Sequence, residues 1–318
     1  MFRIVLGLVL TLCLAACGTG TPASSPPAAT GSPTGDASFP RTIAHAMGET
    51  TVDAPPQRVV VLDTGELDSA VALGVVPVGA VRAPVDDGLL DYLQDKTEGV
   101  TKLVGTISEP SLEAIAALEP DLILSSKLRH EKIYDELSQI APTVFSETVG
   151  VAWKENFLLD ARALGEEEQA TRMLEAYEAR AADLGEQLKA DLGEAPTVSM
   201  VRFLPGATRL YQKASFIGTV LEDVGLQRPE SQDVDEFALE IGEEQIGLAD
   251  GDVIFVSWYG PSGDTTRPAF TSNPLWQNLA AVRAGRIYEV PDDTWMLGIG
   301  IGAANRVLDD LERILLKA

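Results

Sequence analysis

The residues able to carry covalent or metal chemistry are scarce in this chain of 318 residues: its thiols are Cys13 and Cys17, and its imidazoles are His45 and His130. Transition-metal centres draw several ligands from these types, so direct metal ligation is not expected and no metal ligand is assigned. No D-x-D-x-D-G calcium loop occurs either. Gly260-Pro261-Ser262-Gly263 is one residue short of the G-x-S-x-G nucleophile elbow. Gly298-Ile299-Gly300-Ile301-Gly302-Ala303 satisfies a loose G-x-G-x-x-A, but only residues 304–318 follow it, too few for a βαβ unit and a ribose-binding acid. That stretch reads as a flexible glycine turn before a last helix from Ala303 to Leu315. No catalytic residue, no P-loop and no cofactor is expected. What remains is non-covalent recognition by guanidinium donors and aromatic faces. The candidates are Arg82, Arg129, Arg202, Trp153, Tyr211, Trp258, Tyr259 and Trp295.

Most of these candidates fall at the ends of short β-branched runs. Val59 to Leu62 reads as a buried strand, Glu66 to Leu73 as a helix closed by Gly74, and Val76 to Val81 as the next strand, which Arg82 follows. Ser111 to Leu118 is a helix halted by Glu119-Pro120. Asp121 to Leu124 is a strand, and the loop after it carries Lys127, Arg129 and His130. Glu131 to Ile140 and Thr143 to Phe145 continue the alternation, which implies an α/β class with parallel sheet. Two helices then follow, Lys154 to Leu164, ended by Gly165, and Glu166 to Leu192. In the second, Met173, Leu174, Tyr177, Ala181, Leu184 and Leu188 recur at helical spacing, and its rod is roughly 40 Å long. Alternation resumes with Val198 to Phe203, Thr208 to Tyr211, a helix from Phe216 to Val224 and a strand at Val253 to Val256, directly before Trp258 and Tyr259. An internal echo links the two halves: Glu113-Ala-Ile115 before Pro120-Asp121 matches Glu244-Gln-Ile246 before Gly251-Asp252. The expected architecture is two Rossmann-like α/β lobes joined by one long helix, with a cleft between them.

The N-terminus has one Arg, an apolar run from Ile4 to Leu12, and Leu14-Ala15-Ala16 before Cys17, the order of a secretory signal. The run is too short to span a bilayer, which needs roughly 20 apolar residues. The setting of Cys17 resembles the lipobox of bacterial lipoproteins, in which the thiol is lipidated and becomes the new N-terminus. Gly18 to Pro40 is rich in Thr, Pro, Ala, Ser and Gly and cannot bury enough surface to order itself. The expected organisation is a signal at 1–16, a linker at 17–40, an N-terminal lobe at 41–152, a helical region at 153–192 and a C-terminal lobe at 193–318. The formal net charge of −24 disfavours nucleic acid and anionic membrane surfaces as partners, leaving the lipid as the one membrane contact.

Arg58-Val-Val-Val-Leu, Ser111-Leu-Glu-Ala-Ile-Ala-Ala-Leu-Glu-Pro-Asp-Leu-Ile, Ile140-Ala-Pro-Thr-Val, Phe216 to Gly225, and Pro274-Leu-Trp276 through Arg286-Ile-Tyr288 follow in order along the chain. Together with the lipobox they resemble the iron-siderophore and cobalamin substrate-binding proteins of ABC importers, over roughly residues 40 to 318. The resemblance implies the class III periplasmic-binding-protein fold, a monomer, capture of a ferric chelate and delivery to a permease. It places Arg202, at the end of the Val198 strand, in the ligand-facing position of the second lobe. It also puts one exposed glutamate per lobe, Glu113 and Glu222, against the permease. The acidic balance favours a neutral or cationic trihydroxamate such as a ferrioxamine over a catecholate chelate, with haem and cobalamin as further alternatives and an extracellular enzyme as the rival from another class.

Overall fold

The computed structural model describes residues 38–84, 87–192 and 195–316; the signal, Cys17 and most of the linker lie outside them. The described body opens with a hairpin that the sequence pattern did not announce, β1 (Arg41–His45) and β2 (Gly48–Val52). Its side chains alternate weakly in polarity, and it leans on the edge of the first sheet, where Ala46 N–H donates to Phe145 O at 3.0 Å and Thr50 Oγ1 to Thr143 O at 2.8 Å. An edge strand is thereby covered.

The first lobe is a five-stranded parallel sheet in the order β5-β4-β3-β6-β7, from β3 (Val59–Val61), β4 (Gly79–Arg82), β5 (Lys102–Thr106), β6 (Leu122–Ser126) and β7 (Thr143–Ser146). The second has the order β10-β9-β8-β11-β12, from β8 (Val198–Leu204), β9 (Ala207–Tyr211), β10 (Ala238–Ile241), β11 (Val253–Trp258) and β12 (Ile287–Glu289). This sheet is mixed, because β9 runs antiparallel to β8 and β10 antiparallel to β9. A tight connection over Pro205 and Gly206 allows only a hairpin, and Gly206 supplies the positive φ of 77° that the turn requires.

The internal echo is a structural repeat. The helix Leu112–Ala117 and the 3-10 turn Glu243–Ala249 each connect an edge strand, β5 or β10, to the inner strand beside the lobe's central one, β6 or β11. Ile115 and Ile246 are each fully buried. Asp121 accepts from Gln57 and Arg58 N–H at 2.7 and 2.8 Å just ahead of β3, and Asp252 accepts from Thr197 N–H at 2.9 Å just ahead of β8. Each aspartate pins the start of its lobe's central strand.

The long helix Glu167–Leu192 joins the lobes as expected, its apolar face buried at Leu174, Tyr177, Ala181, Leu184 and Leu188. Its one interior glycine is required by close approach: a Cβ on Gly185 would stand 2.1 Å from Val224 O. The lobes are bound by more than this rod. One continuous apolar core runs from Val59 and Leu67 through Trp153 and Tyr177 to Val198, Phe255 and Leu308, so the two sheets share an interior.

The Gly298–Gly302 stretch is not the flexible turn that the sequence implied. It wraps the buried carboxylate of Asp68, from the first-lobe helix Thr64–Ala72, which accepts from Gly302 N–H at 2.8 Å, Ala303 N–H at 2.9 Å and Tyr92 Oη–H at 2.5 Å. A Cβ at Gly300 would lie 2.4 Å from Asp68 Oδ1. The glycines make room for a carboxylate at the start of the last helix, Ile301–Leu315, where its free N–H groups need an acceptor.

Candidate functional site

Parallel strands that end at one edge leave a crevice there, and here two such edges face each other. Between them lies a cavity of about 600 Å³. The first lobe contributes Thr64 after β3, Ile107 after β5, Arg129 after β6 and Thr148 to Val151 after β7. The second contributes Arg202 and Leu204 from β8, Arg209 and Tyr211 from β9, Phe216, Phe237 and Tyr259. Three arginines and no Asp or Glu line this cavity among the described residues, although the whole chain carries 48 acidic against 24 basic residues.

Arg129 sits in the short helix Lys127–His130 and is about one-third exposed. Its Nε donates to Asp63 Oδ2 at 2.8 Å, and Asp63, which caps the start of the helix Thr64–Ala72, is buried. Burial alone would lower the guanidinium pKa; the charge and hydrogen bond of Asp63 override that and hold Arg129 firmly protonated. With Nε held from below, the guanidinium is oriented by a group that is itself rigid. The adjacent His130 is not part of the cleft: it is buried, with Nδ1 2.7 Å from Ser125 Oγ and Nε2 2.8 Å from Ile107 O, and burial lowers its pKa.

Arg202 is also in the cleft wall but is only 7% exposed. Its Nε and Nη2 donate to the two oxygens of Asp292 at 2.7 and 2.5 Å, and Nη1 donates to Tyr211 Oη at 3.0 Å. Burial opposes its charge, and Tyr211 and Asp292 more than restore it. The guanidinium also lies over the Tyr259 ring, 4.8 Å from its centroid. Arg202 therefore props Tyr211 and Tyr259 against the cleft, with most of its directed donors already engaged. Arg209, which the sequence reading passed over, lies directly opposite Arg202 across the β8–β9 ladder. Its two-residue spacing from Tyr211 on a strand is the signal that would have found it, since such residues share a face.

The remaining candidates divide. Tyr211 and Tyr259 line the cleft. Trp295 lies in its floor with no exposed surface, stacked 4.7 Å from the Phe255 ring and donating from Nε1 to Asp310 Oδ2 at 2.9 Å. Trp258 faces an adjoining cavity of about 680 Å³ that also holds Asp87, Asp91, Asp292 and Asp293, and Arg267 stacks on its ring at 4.1 Å. Trp153 is not a cleft residue. It is 1% exposed, packs edge-on against Tyr177 and Phe216, and donates from Nε1 to Thr219 Oγ1 at 2.9 Å. It is core because the helix Trp153–Leu164 turns that face inward against the long helix. Arg82 folds onto the backbone after β4, at Ala83 O and Pro84 O, and does not line the cleft.

Glu113 and Glu222 are both exposed but stand at opposite ends of their sheets. Glu113 opens the helix after β5, at the cleft end. The helix Phe216–Asp223 begins in the cleft and runs away from it, so Glu222 lies near Gln227, which bridges to Thr197 ahead of β8. The exposed residue that repeats the position of Glu113 in the second lobe is Glu244.

Two lobes, strand ends facing across an arginine-lined cleft, and a helix between them define a substrate-binding protein of the two-lobed class. The chain matches the periplasmic binding protein family over residues 59–294 and belongs to it. It is 41% identical over 289 residues to the probable siderophore-binding lipoprotein YfiY of Bacillus subtilis, covering 87% of this chain and 88% of that one. It is 34% identical over 265 residues to the achromobactin-binding periplasmic protein of Dickeya dadantii, covering 81% and 86%. Among solved structures it resembles Staphylococcus aureus SirA complexed with staphyloferrin B, with a TM-score of 0.79, 34% identity and coverage of 87% and 98%.

Proposed function

We propose that this chain is an extracytoplasmic receptor, anchored by a lipid on Cys17, that captures a ferric siderophore in the interlobe cleft and delivers it to the permease of an ABC importer. The observation that carries this reading is the donor set of the cleft, where the guanidiniums of Arg129, Arg202 and Arg209 line the wall while their carboxylate partners Asp63, Asp292 and Glu240 do not. The siderophore-binding lipoprotein, the achromobactin-binding protein and the staphyloferrin B complex among its relatives agree with this.

The same observation revises the choice of chelate. The overall charge of the chain favours a neutral or cationic ferrioxamine, but a ligand meets the local donors, and the guanidinium N–H groups of Arg129 and Arg209 beyond their pairings with Asp63 and Glu240 favour an anionic chelate whose oxygens accept them. Arg129 makes the direct contact from the first lobe, Arg209 from the second, and Tyr211 and Tyr259 supply aromatic faces held by Arg202. For docking, Glu113 and Glu244 are the pair supported by position at the cleft end, in place of Glu113 with Glu222.

A fluorescence titration panel of ferric citrate, ferric staphyloferrin B, a ferrioxamine, a ferric catecholate, haem and cobalamin tests the reading. The anionic carboxylate chelates are expected to bind tightest, and Arg129→Ala to weaken them roughly tenfold to a hundredfold, the loss of a charge-assisted hydrogen bond. Tightest binding of the ferrioxamine would overturn the revised choice, and binding of none would overturn the receptor assignment.

A further inference from the structure

Behind Asp63, the partner of Arg129, the first lobe buries two further carboxyl groups, Glu66 and Asp160. Asp63 caps the start of the helix Thr64–Ala72, Glu66 lies in the first turn of that helix, and Asp160 comes from the helix Trp153–Leu164 packed across it; they are 1%, 2% and 3% exposed. Asp63 is fully accounted for, since Oδ1 accepts from Thr64 N–H and Oδ2 from Arg129. The other two are not. Glu66 Oε2 and Asp160 Oδ2 are buried with no hydrogen-bond partner among the described residues; Glu66 is otherwise met by the Ser146 hydroxyl at 3.4 Å and its own backbone N–H, and Asp160 by the Ser69 hydroxyl. A cavity of about 10 Å³ lies among Asp63, Glu66, Ser69 and Asn156, and it shares Val149 and Ile299 with the wall of the cleft. That is room for about one water molecule.

Buried carboxylates with unfilled lone pairs are too costly to stay ionised, and the usual escape is to take up a proton. The charged and titratable groups facing the pair give it little compensation. Arg129 is held by Asp63, and its neighbour His130 is engaged with Ser125 and Ile107. The Ser69 hydroxyl and then Arg162, on the helix of Asp160, favour its ionised form without overcoming burial, and Ser146 is neutral. Burial and then the charges of Asp63 and Asp160 raise the Glu66 pKa well above the carboxylate range, and burial pushes Asp160 up to about 7.

We propose that Glu66 and Asp160 hold a proton behind Asp63, the partner of Arg129, and so link capture of an anionic chelate to proton uptake, an inference that rests on the cargo assigned to the cleft above. An anion arriving at Arg129 disfavours ionisation of the carboxyl pair behind Asp63 and makes it bind its proton more tightly. Linkage is reciprocal, so the protonated receptor binds the anion more tightly and affinity rises as pH falls through neutrality.

The test compares the whole folded chain, lacking its signal, with the near-isosteric double variant Glu66→Gln/Asp160→Asn, and with Asp160→Asn alone in case the double variant folds poorly. Without any chelate, denaturant unfolding at pH 6 and pH 8 should show the wild type losing stability relative to the variants as pH rises. A carboxyl whose folded pKa lies above its unfolded one stabilises the fold at low pH and loses that contribution as pH rises through the folded value. With ferric citrate as probe, the ratio of wild-type to variant affinity should fall about fivefold to tenfold between pH 6 and pH 8, the ratio cancelling the chelate's own pH chemistry. A stability difference independent of pH overturns the proton-holding pair, whatever the cargo. An affinity ratio independent of pH overturns the coupling. Absence of binding at both pH values with the first arm intact would overturn the assigned cargo and the coupling together.

Discussion

Arg202 grips Asp292 with two parallel hydrogen bonds, Nε to Oδ1 at 2.7 Å and Nη2 to Oδ2 at 2.5 Å, and Ser257 Oγ adds a third to Asp292 at 2.9 Å. Both side chains are mostly buried, at 9% and 14% exposure. Removing one partner strands a charge in a low-dielectric setting. Arg202→Ala is therefore expected to cost about 3 to 5 kcal/mol of stability in denaturant unfolding. Arg209→Ala, whose partner Glu240 is 3.5 Å away and largely exposed, should cost within about 0.5 kcal/mol. Equal losses for the two would contradict the placement of Arg202 as a prop.

Trp153→Ala should destabilise by about 3 to 5 kcal/mol, the usual range for emptying an aromatic site in a core. Trp153→Phe should recover much of that while giving up the bond to Thr219. Chelate affinity should be unchanged in any variant that remains folded, and a selective loss of affinity would return Trp153 to the cleft.

Asp223 draws three groups to the lobe boundary: Lys154 Nζ at 2.9 Å, Tyr177 Oη at 2.9 Å, and through Lys154 the carboxylate of Glu178 at 3.1 Å. With this node, the Asp68 cradle and one continuous core, lobe closure on binding should be small, because packed interiors do not flex like paired strand linkers. Solution scattering with and without chelate is expected to give nearly the same radius of gyration. A fall of several ångströms would refute it.

Glu113→Ala with Glu244→Ala should leave chelate affinity intact and reduce uptake of labelled siderophore by cells, while Glu222→Ala should leave both unchanged. If Glu222→Ala alone reduced uptake, the docking surface would have to include the far end of the second lobe.

Cys17→Ala should release the protein from the membrane fraction into the periplasm or medium. Retention of that variant in the membrane would argue against lipidation.

The α/β class, the long helix and the repeat were all present in the order of residues. Periodicities of two and 3.6 are local properties, and the echo aligned Asp121 with Asp252, although their partners Gln57 and Thr197 lie 64 and 55 residues away. Side-chain chemistry at strand ends likewise pointed to Arg129, Arg202, Tyr211 and Tyr259. What the chain order could not convey was which groups meet across long stretches of sequence. Arg202 lies 90 residues from Asp292, and Asp68 lies 234 from Gly302. These pairings turned one expected ligand donor into a prop and one flexible turn into a carboxylate cradle. Direction was equally hidden: a tryptophan in an amphipathic helix faces either core or cleft according to what packs beside it, and an exposed glutamate faces a partner only if its helix starts, and does not end, at that edge. Local sequence determines which groups are available and on which element. Only the packing of distant elements decides which of their charges are already neutralised, which are buried without partners, and which are left to meet a ligand.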